Sequence, residues 1–324
     1  MAAVNFVTMQ LNLQPYIEAA LSDLHYLIRE WVPEALLRAR LHSDIVDAFA
    51  LMTNEERAHD FHDAVPVVGA SPRDYMPQIL VAGGVTYIVG IRFRVGPPLV
   101  AFAELYGSSA PLNVACSLEP LLRECRERLG VFQPRSLRIH HPVGMPMSSV
   151  TSSASVVVDF VSYASPIKGI KSNPHFSLDT GWKLELPSRV YFYDAYRAAY
   201  GSYLLEHPQL RGVLEPEPVD VLEDLLAKGL LRTVVNAGGW QGIIAARPVI
   251  RYGMSGFSVV ENCLATSARG QHVAAPMFCE FAAQLKGEDS AVILGSINPH
   301  NVPAIRTARR VGRAPVMQAT FIEI

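Results

Sequence analysis

The stretch SARGQHVAAPMFCEFAAQL, residues 267–285, opens as a turn of small residues and continues as an apolar helix. A helix start exposes unpaired N–H groups and the positive end of the helix dipole. Small residues such as Gly270 and Ala274 let a pyrophosphate approach those groups closely. Arg269 adds a cation, and Pro276 is tolerated because it falls near the first turn. His272 stands where a second glycine would open the turn furthest.

Working outward, GFSVVENCLAT before the loop and AVILGSI after the helix read as strands. NVPAIRTARRVG then reads as a helix and PVMQATFIEI as a strand. Upstream, YDAYRAAYGSYLLEH and PVDVLEDLLAKG have helical spacing, and LLRTVVNAGGWQGIIAARPVIRY has a tight Ala-Gly-Gly hairpin connection. The first half has the same order. IEAALSDLHYLIREWV is expected to be one helix, and SDIVDAFALMTNEERAHDFHDAV another with Ser43 as N-cap. QILVAGGVTYIVGIRFRV is a hairpin and PLVAFAELYG a strand. SLEPLLRECRERLG is a helix ending at Gly130, and SLRIHHP is a strand. Ala82-Gly83-Gly84 precedes Ala237-Gly238-Gly239 by 155 residues. Glu104 precedes Glu261 by 157, and His141-Pro142 precedes Asn298-Pro299 by 157. The spacings point to two copies of one unit, 1–150 and 151–324, joined through the Ser/Pro-containing HPVGMPMSSVTSSAS. Turn residues fill 156–190, which resists assignment.

Half of the 324 residues are apolar and 18% are charged, which suits a full core and argues against disorder. The net charge of −2 gives no basic surplus for nucleic acid. Cys116, Cys125, Cys263 and Cys279 form no C-x-x-C pair and read as reduced thiols. MAAVNFVTMQLNLQ lacks a basic segment followed by an apolar run, and no stretch is long enough to span a membrane. A cytoplasmic protein with no membrane partner is expected.

With these residues in place, the second half resembles the GNAT superfamily of acyl-CoA-dependent N-acyltransferases. Their pyrophosphate motif, Gln/Arg-x-x-Gly-x-Gly/Ala, matches Arg269, Gly270, Gln271, His272, Val273 and Ala274 at its outer positions, with His272 at the central glycine. The family's helix pattern of Asn, then Ala three residues on, matches Asn301 and Ala304. Its Tyr is Ala308 here, and its closing Gly-Phe is Gly312-Arg313. The resemblance implies an α/β (α+β) fold of two tandem GNAT-like units. Each has a mixed, mostly antiparallel sheet flanked by helices, and the first unit is degenerate because SSAPLNVACSLEP has no Arg-Gly turn. It also implies that two strands part to admit a pantetheine arm, held by Cys263, Leu264 and Ala265 on one side and by Asn298 and Asn301 on the other. Acyl-CoA is then the co-substrate, with no metal.

Amide formation needs a base for the amine, a donor for the oxyanion and an acid for the thiolate. Glu261, in the otherwise apolar SVVENCLA, is the candidate base, and the N–H near Leu264 the candidate donor. With Ala308 at the tyrosine position, His300 or His272 is the candidate acid. The expected acceptor is a bulky small-molecule amine, by analogy of layout with tandem enzymes that acylate glycopeptide-antibiotic amino sugars. A CoA-binding sensor or scaffold is the competing class. HDFHD has metal-type residues, but i, i+3 pairs on a polar helix face are usually solvated. HHPVGMP lacks the aspartate of an acyltransferase motif, GMSGF has Phe257 where a hydrolase elbow needs Gly, and AGGVTYIVG is explained better by a hairpin than by a dinucleotide loop. RTARRVGR is either helix-end charge or a site for the 3′-phosphate of CoA.

Overall fold

The computed structural model describes residues 12–94, 100–112, 118–146, 154–171, 178 and 181–324. The opening MAAVNFVTMQL, Cys116 and parts of SSAPLNVACSLEP, of the Ser/Pro-containing joint and of 156–190 lie outside them. Four helices come first: α1 (Gln14–Ser22), α2 (Tyr26–Trp31), α3 (Glu34–Leu51) and α4 (Glu55–Ala64). Then come β1 (Gln78–Ala82), β2 (Val85–Arg94), β3 (Val100–Ser108), α5 (Glu119–Arg128), β4 (Ser136–Pro142) and β5 (Val156–Pro166). The rest is α6 (Ile167–Lys171), β6 (Lys183–Glu185), α7 (Tyr193–Glu206), α8 (Val219–Ala227), β7 (Leu231–Asn236), β8 (Gly239–Arg251) and β9 (Met254–Leu264). It closes with α9 (Ala274–Gln284), β10 (Val292–Ile297), α10 (Val302–Arg310) and β11 (Ala314–Glu323).

Two N-terminal expectations need correction. The helix expected over 17–32 breaks after Ser22, because the Asp23 carboxylate turns aside to accept the Leu112 N–H at 2.9 Å. His25 then caps a separate α2 through Leu27. Ser43 is not a cap. Leu37, Leu41, Ile45 and Ala48 carry one buried face straight through it, and the real break comes at Asn54, whose Oδ1 accepts the Arg57 N–H at 2.9 Å.

All the described strands join one sheet, ordered β1-β2-β3-β4-β11-β5-β10-β9-β8-β7-β6. It is mixed and mostly antiparallel, with β3–β4 and β9–β10 the parallel pairs. The two halves mirror one another in register. Gly90 lies opposite Glu104 in β2–β3, and Ala245 lies opposite Glu261 in β8–β9. Their closing strands are exchanged: β5, which follows the first half, pairs with β10, and β11 returns to pair with β4. β5 and β11 then pair with each other and make the sheet continuous.

Side-chain alternation sorts the two faces. One face carries α1–α3 over β9, β10, β5 and β11, and α7 and α8 over β7–β9. The other carries α5 on β1–β4, and α6 and α9 on β7–β10. The β9–β10 ladder is short, running from Gly256 opposite Val292 to Ser258 opposite Leu294. Beyond it, an extra residue at Val260 bulges β9 against β8, and the two strands continue unpaired to Leu264 and Ile297. β3 and β4 likewise pair only at Ala103–Leu137 and Glu104–Arg138.

Gly256 sets the closeness of that short ladder, since a Cβ there would lie 2.0 Å from the Val292 carbonyl oxygen. Backbone cannot yield as a side-chain tip does. Gly256→Ala is therefore expected to cost about 3 kcal/mol, read as a lowered urea midpoint. An unchanged midpoint would show that β9 does not depend on this approach.

Candidate functional site

Glu261 sits where β9 leaves β10, on the face covered by α7, and is 5% exposed. Three α7 tyrosines at helical spacing reach this end of β9. The Tyr196 hydroxyl donates to Glu261 Oε2 and accepts the Glu217 N–H at 2.7 Å. Tyr200 also hydrogen-bonds Glu261. Tyr203 donates to Asn301 Oδ1 at 2.7 Å. The Asn262 N–H reaches Glu261 Oε1 at 2.9 Å. Among the described residues, no cation pairs with this carboxylate. Burial pushes Glu261 up to about 7, against the pull of these hydrogen bonds.

The backbone beside Glu261 faces two ways. Ala265 N–H goes to Gln241 O on β8 at 2.8 Å. Antiparallel alternation therefore turns Cys263 and Ala265 towards β8 and the Leu264 N–H into the opening. The Cys263 thiol is packed in the α7–α8 core. The loop that follows has left-handed φ at Gly270 (75°) and His272 (58°). Alternating φ signs aim successive N–H groups into one concavity. Among the described residues, no side chain caps the start of α9.

The first half treats the equivalent place differently. Glu104 bridges β3 to β4 through Arg138, at 2.6 and 3.1 Å, and through His140 Nε2 at 3.1 Å. A carboxylate only accepts, so Nε2 carries the proton and Nδ1 accepts from Tyr252 O–H at 2.9 Å. Arg138 also holds Asp159. Burial would raise Glu104, but the His140 and Arg138 bonds and the Arg138 charge outweigh it and hold it at about 2. One carboxylate clamps its strands, and its counterpart has no cation beside it among the described residues.

No protein-family model matches the chain, and no curated protein matches it. Among solved structures, a GCN5-related N-acetyltransferase from Sphaerobacter thermophilus is 14% identical. The match covers 79% of this chain and 82% of that one, with a TM-score of 0.47. A tandem GNAT protein from the clavulanic acid biosynthesis pathway is 10% identical over 84% and 96% of the two chains, TM-score 0.43. A GNAT acetyltransferase from Colwellia psychrerythraea is 13% identical over 75% and 87%, TM-score 0.42. The likeness is one of fold.

Against the GNAT motif positions, Arg269 is already engaged. It binds Glu206 at 3.1 Å, Ala199 O at 2.8 Å and Leu264 O at 3.2 Å, and lies over the Tyr203 ring. It ties the loop to α7. Gln271 and His272 are exposed, with His272 Nδ1 3.5 Å from Arg310. Val273 is the buried helix cap, and Ala274 begins α9. Asn298 shapes the turn after β10, bonding Asp159 O and accepting the His300 N–H, and the His300 side chain is exposed. Asn301 caps α10 through Ala304. Ala308 is buried against Tyr163 and Ile297. Sequence reasoning missed Tyr196, Tyr200 and Tyr203, although YDAYRAAYGSY already spaces them along one face of a helix. Among the described residues, no His, Cys, Asp or Glu group of three gathers for a metal, and no helix is long and apolar enough to cross a membrane.

The two carboxylates must affect stability with opposite sign. Glu104 binds its proton less tightly when folded, so its contribution is complete above pH 4.5 and fades as pH falls towards 2. Glu261 binds its proton more tightly when folded, so stability falls as pH rises from 4.5 through 7. Each effect is about 3 kcal/mol. Urea unfolding against pH checks this. The wild-type advantage over Glu261→Gln should shrink from pH 4 to 8, and that over Glu104→Gln should grow from pH 2 to 5. A pH-independent Glu261 difference would mean that the carboxyl is solvated.

Proposed function

We propose that the chain is an acyl-CoA-dependent N-acyltransferase of the GNAT kind, acting in the cytoplasm, with residues 151–324 carrying the transfer. The observation that carries this reading is the end of the β9–β10 ladder at Ser258 and Leu294, with Glu261 buried at its edge and an uncapped helix start beyond it. An open strand edge offers backbone groups to an extended amide-bearing arm, as an added strand would. The Leu264 N–H and Asn301 would hold that arm from its two sides. The N–H groups of 272–275 would hold a diphosphate.

Chemically, a carboxyl near pKa 7 can take a proton from an ammonium group at neutral pH, leaving the amine free to attack a thioester carbonyl. The Leu264 N–H is the donor for the oxygen that gains charge. Tyr203, fixed between α7 and Asn301, is better placed to protonate the departing thiolate than His300 or His272, whose side chains face solvent. Residues 1–150 would wall the acceptor side, because Glu104 bridges β3 and β4 through Arg138 and His140 where their ladder ends. The acceptor is a small-molecule amine, antibiotic amino sugars among those to be tried. A CoA-binding sensor is the second reading, favoured by the engagement of Arg269 with Glu206.

Thiol release from acetyl-, octanoyl- and decanoyl-CoA with a panel of amines separates the two. Turnover is expected for the wild type. Glu261→Gln should lower kcat by roughly 10² to 10⁴ and Tyr203→Phe by about 10², with CoA still raising the melting temperature. CoA binding without turnover with any amine would leave the sensor. No CoA-dependent rise in melting temperature would overturn both.

A further inference from the structure

We infer that the acceptor amine carries an acidic group, a carboxylate or a phosphate, and that Arg251 holds it; this rests on the transfer reading above. The end of the β8–β9 hairpin reaches across the sheet, where Gly253 packs on Leu37 of α3 and Tyr252 reaches His140 on β4. Tyr252 is held at φ 54°, a conformation that a non-glycine residue adopts only when its surroundings fix it. Arg251 beside it is half-buried, 5.2 Å from the centre of the Phe160 ring and 4.9 Å from that of Tyr252. Its Nη1 donates to Ser296 Oγ at 3.3 Å. Aromatic contacts and hydrogen bonds to the Ser296 and Tyr252 hydroxyls fix the guanidinium plane, and no carboxylate among the described residues matches its charge.

The counterpart in the first half shows what is missing. Arg94 lies 157 residues earlier, the spacing that separates Glu104 from Glu261, and it too lies over a phenylalanine ring, Phe321, at 4.4 Å. Arg94 has Asp159 at 3.2 Å. Arg251 forms no ion pair among the described residues. The hydroxyls of Ser296 and of buried Ser162, 3.5 Å apart, add neutral donors next to it.

Position connects this cation to Glu261. Ser296 stands two residues past Leu294, and Glu261 lies just past Ser258, so both flank the opening. Both belong to the face that carries α1–α3 and α7. Ser296 is exposed, so the Arg251 end of that strip meets solvent, while Glu261 lies at its buried end. An acceptor lying along it would place its amine at Glu261 and its anion at Arg251, as a bidentate guanidinium contact favours.

Matched amines test this with the intact protein: an amino acid, its carboxamide, an aminoalkyl phosphate and the uncharged alkylamine, each with the same acyl-CoA. The wild type should favour one of the two acids over both neutral amines at least tenfold in kcat/KM, and which acid wins distinguishes carboxylate from phosphate. Arg251→Gln should raise KM for that acid about tenfold and leave the neutral amines unchanged. Arg251→Lys should retain part of the preference. Ser296→Ala, at an exposed position, should raise KM for the acid alone by about threefold, and it serves if Arg251→Gln folds poorly. Equal turnover of acidic and neutral amines, or an equal loss for both in Arg251→Gln, overturns the inference and leaves acyl transfer standing. No turnover with any amine overturns both.

Discussion

The structure depends on how briefly β9 and β10 pair. Gly256 lets the strands touch so closely that no side chain fits between them, and the extra residue at Val260 then turns β9 away. A ladder of three residue pairs thus joins β6–β9 to the rest of the sheet, and one bulge opens it. The exchanged strands make the opening tolerable. β5 keeps β10 hydrogen-bonded along its whole length while β9 departs, so β10 is not left as a free edge.

The duplicated halves show how one backbone supports two electrostatic outcomes. Glu104 and Glu261 occupy the same register, but Arg138 and His140 surround the first, whereas tyrosines surround the second. The first carboxylate bridges its strands, and its charge is matched within the protein. The second keeps a proton that it can exchange near neutral pH. Arg94 and Arg251 repeat the contrast one step along the chain, with Asp159 satisfying the former alone.

The repeat was legible because the Ala-Gly-Gly turns, the paired glutamates and the alternation of strand and helix patterns are local signals. Glu261 was legible as a carboxylate inside the mostly apolar SVVENCLA, and the structure buries it there. The α1–α2 break was not, since its cause is an Asp23 contact with Leu112, far along the chain. Nor was the true end of α3, where burial of Leu37, Leu41 and Ile45 overrode the capping preference of Ser43. The site tyrosines were visible as a helical stripe, but Tyr196 and Tyr200 find their partner on β9 and Tyr203 finds its own at the cap of α10. The engagement of Arg269 was hidden for the same reason, because Glu206 belongs to another helix. Strand exchange leaves no local trace at all.

Hydrogen–deuterium exchange with and without CoA measures the opening most directly. The expected result is slower exchange at the Leu264 amide and at 272–275, with the equivalent β3–β4 amides unchanged. Unaltered exchange at those residues, with CoA demonstrably bound, would contradict the opening between β9 and β10 as the place where the thiol arm lies.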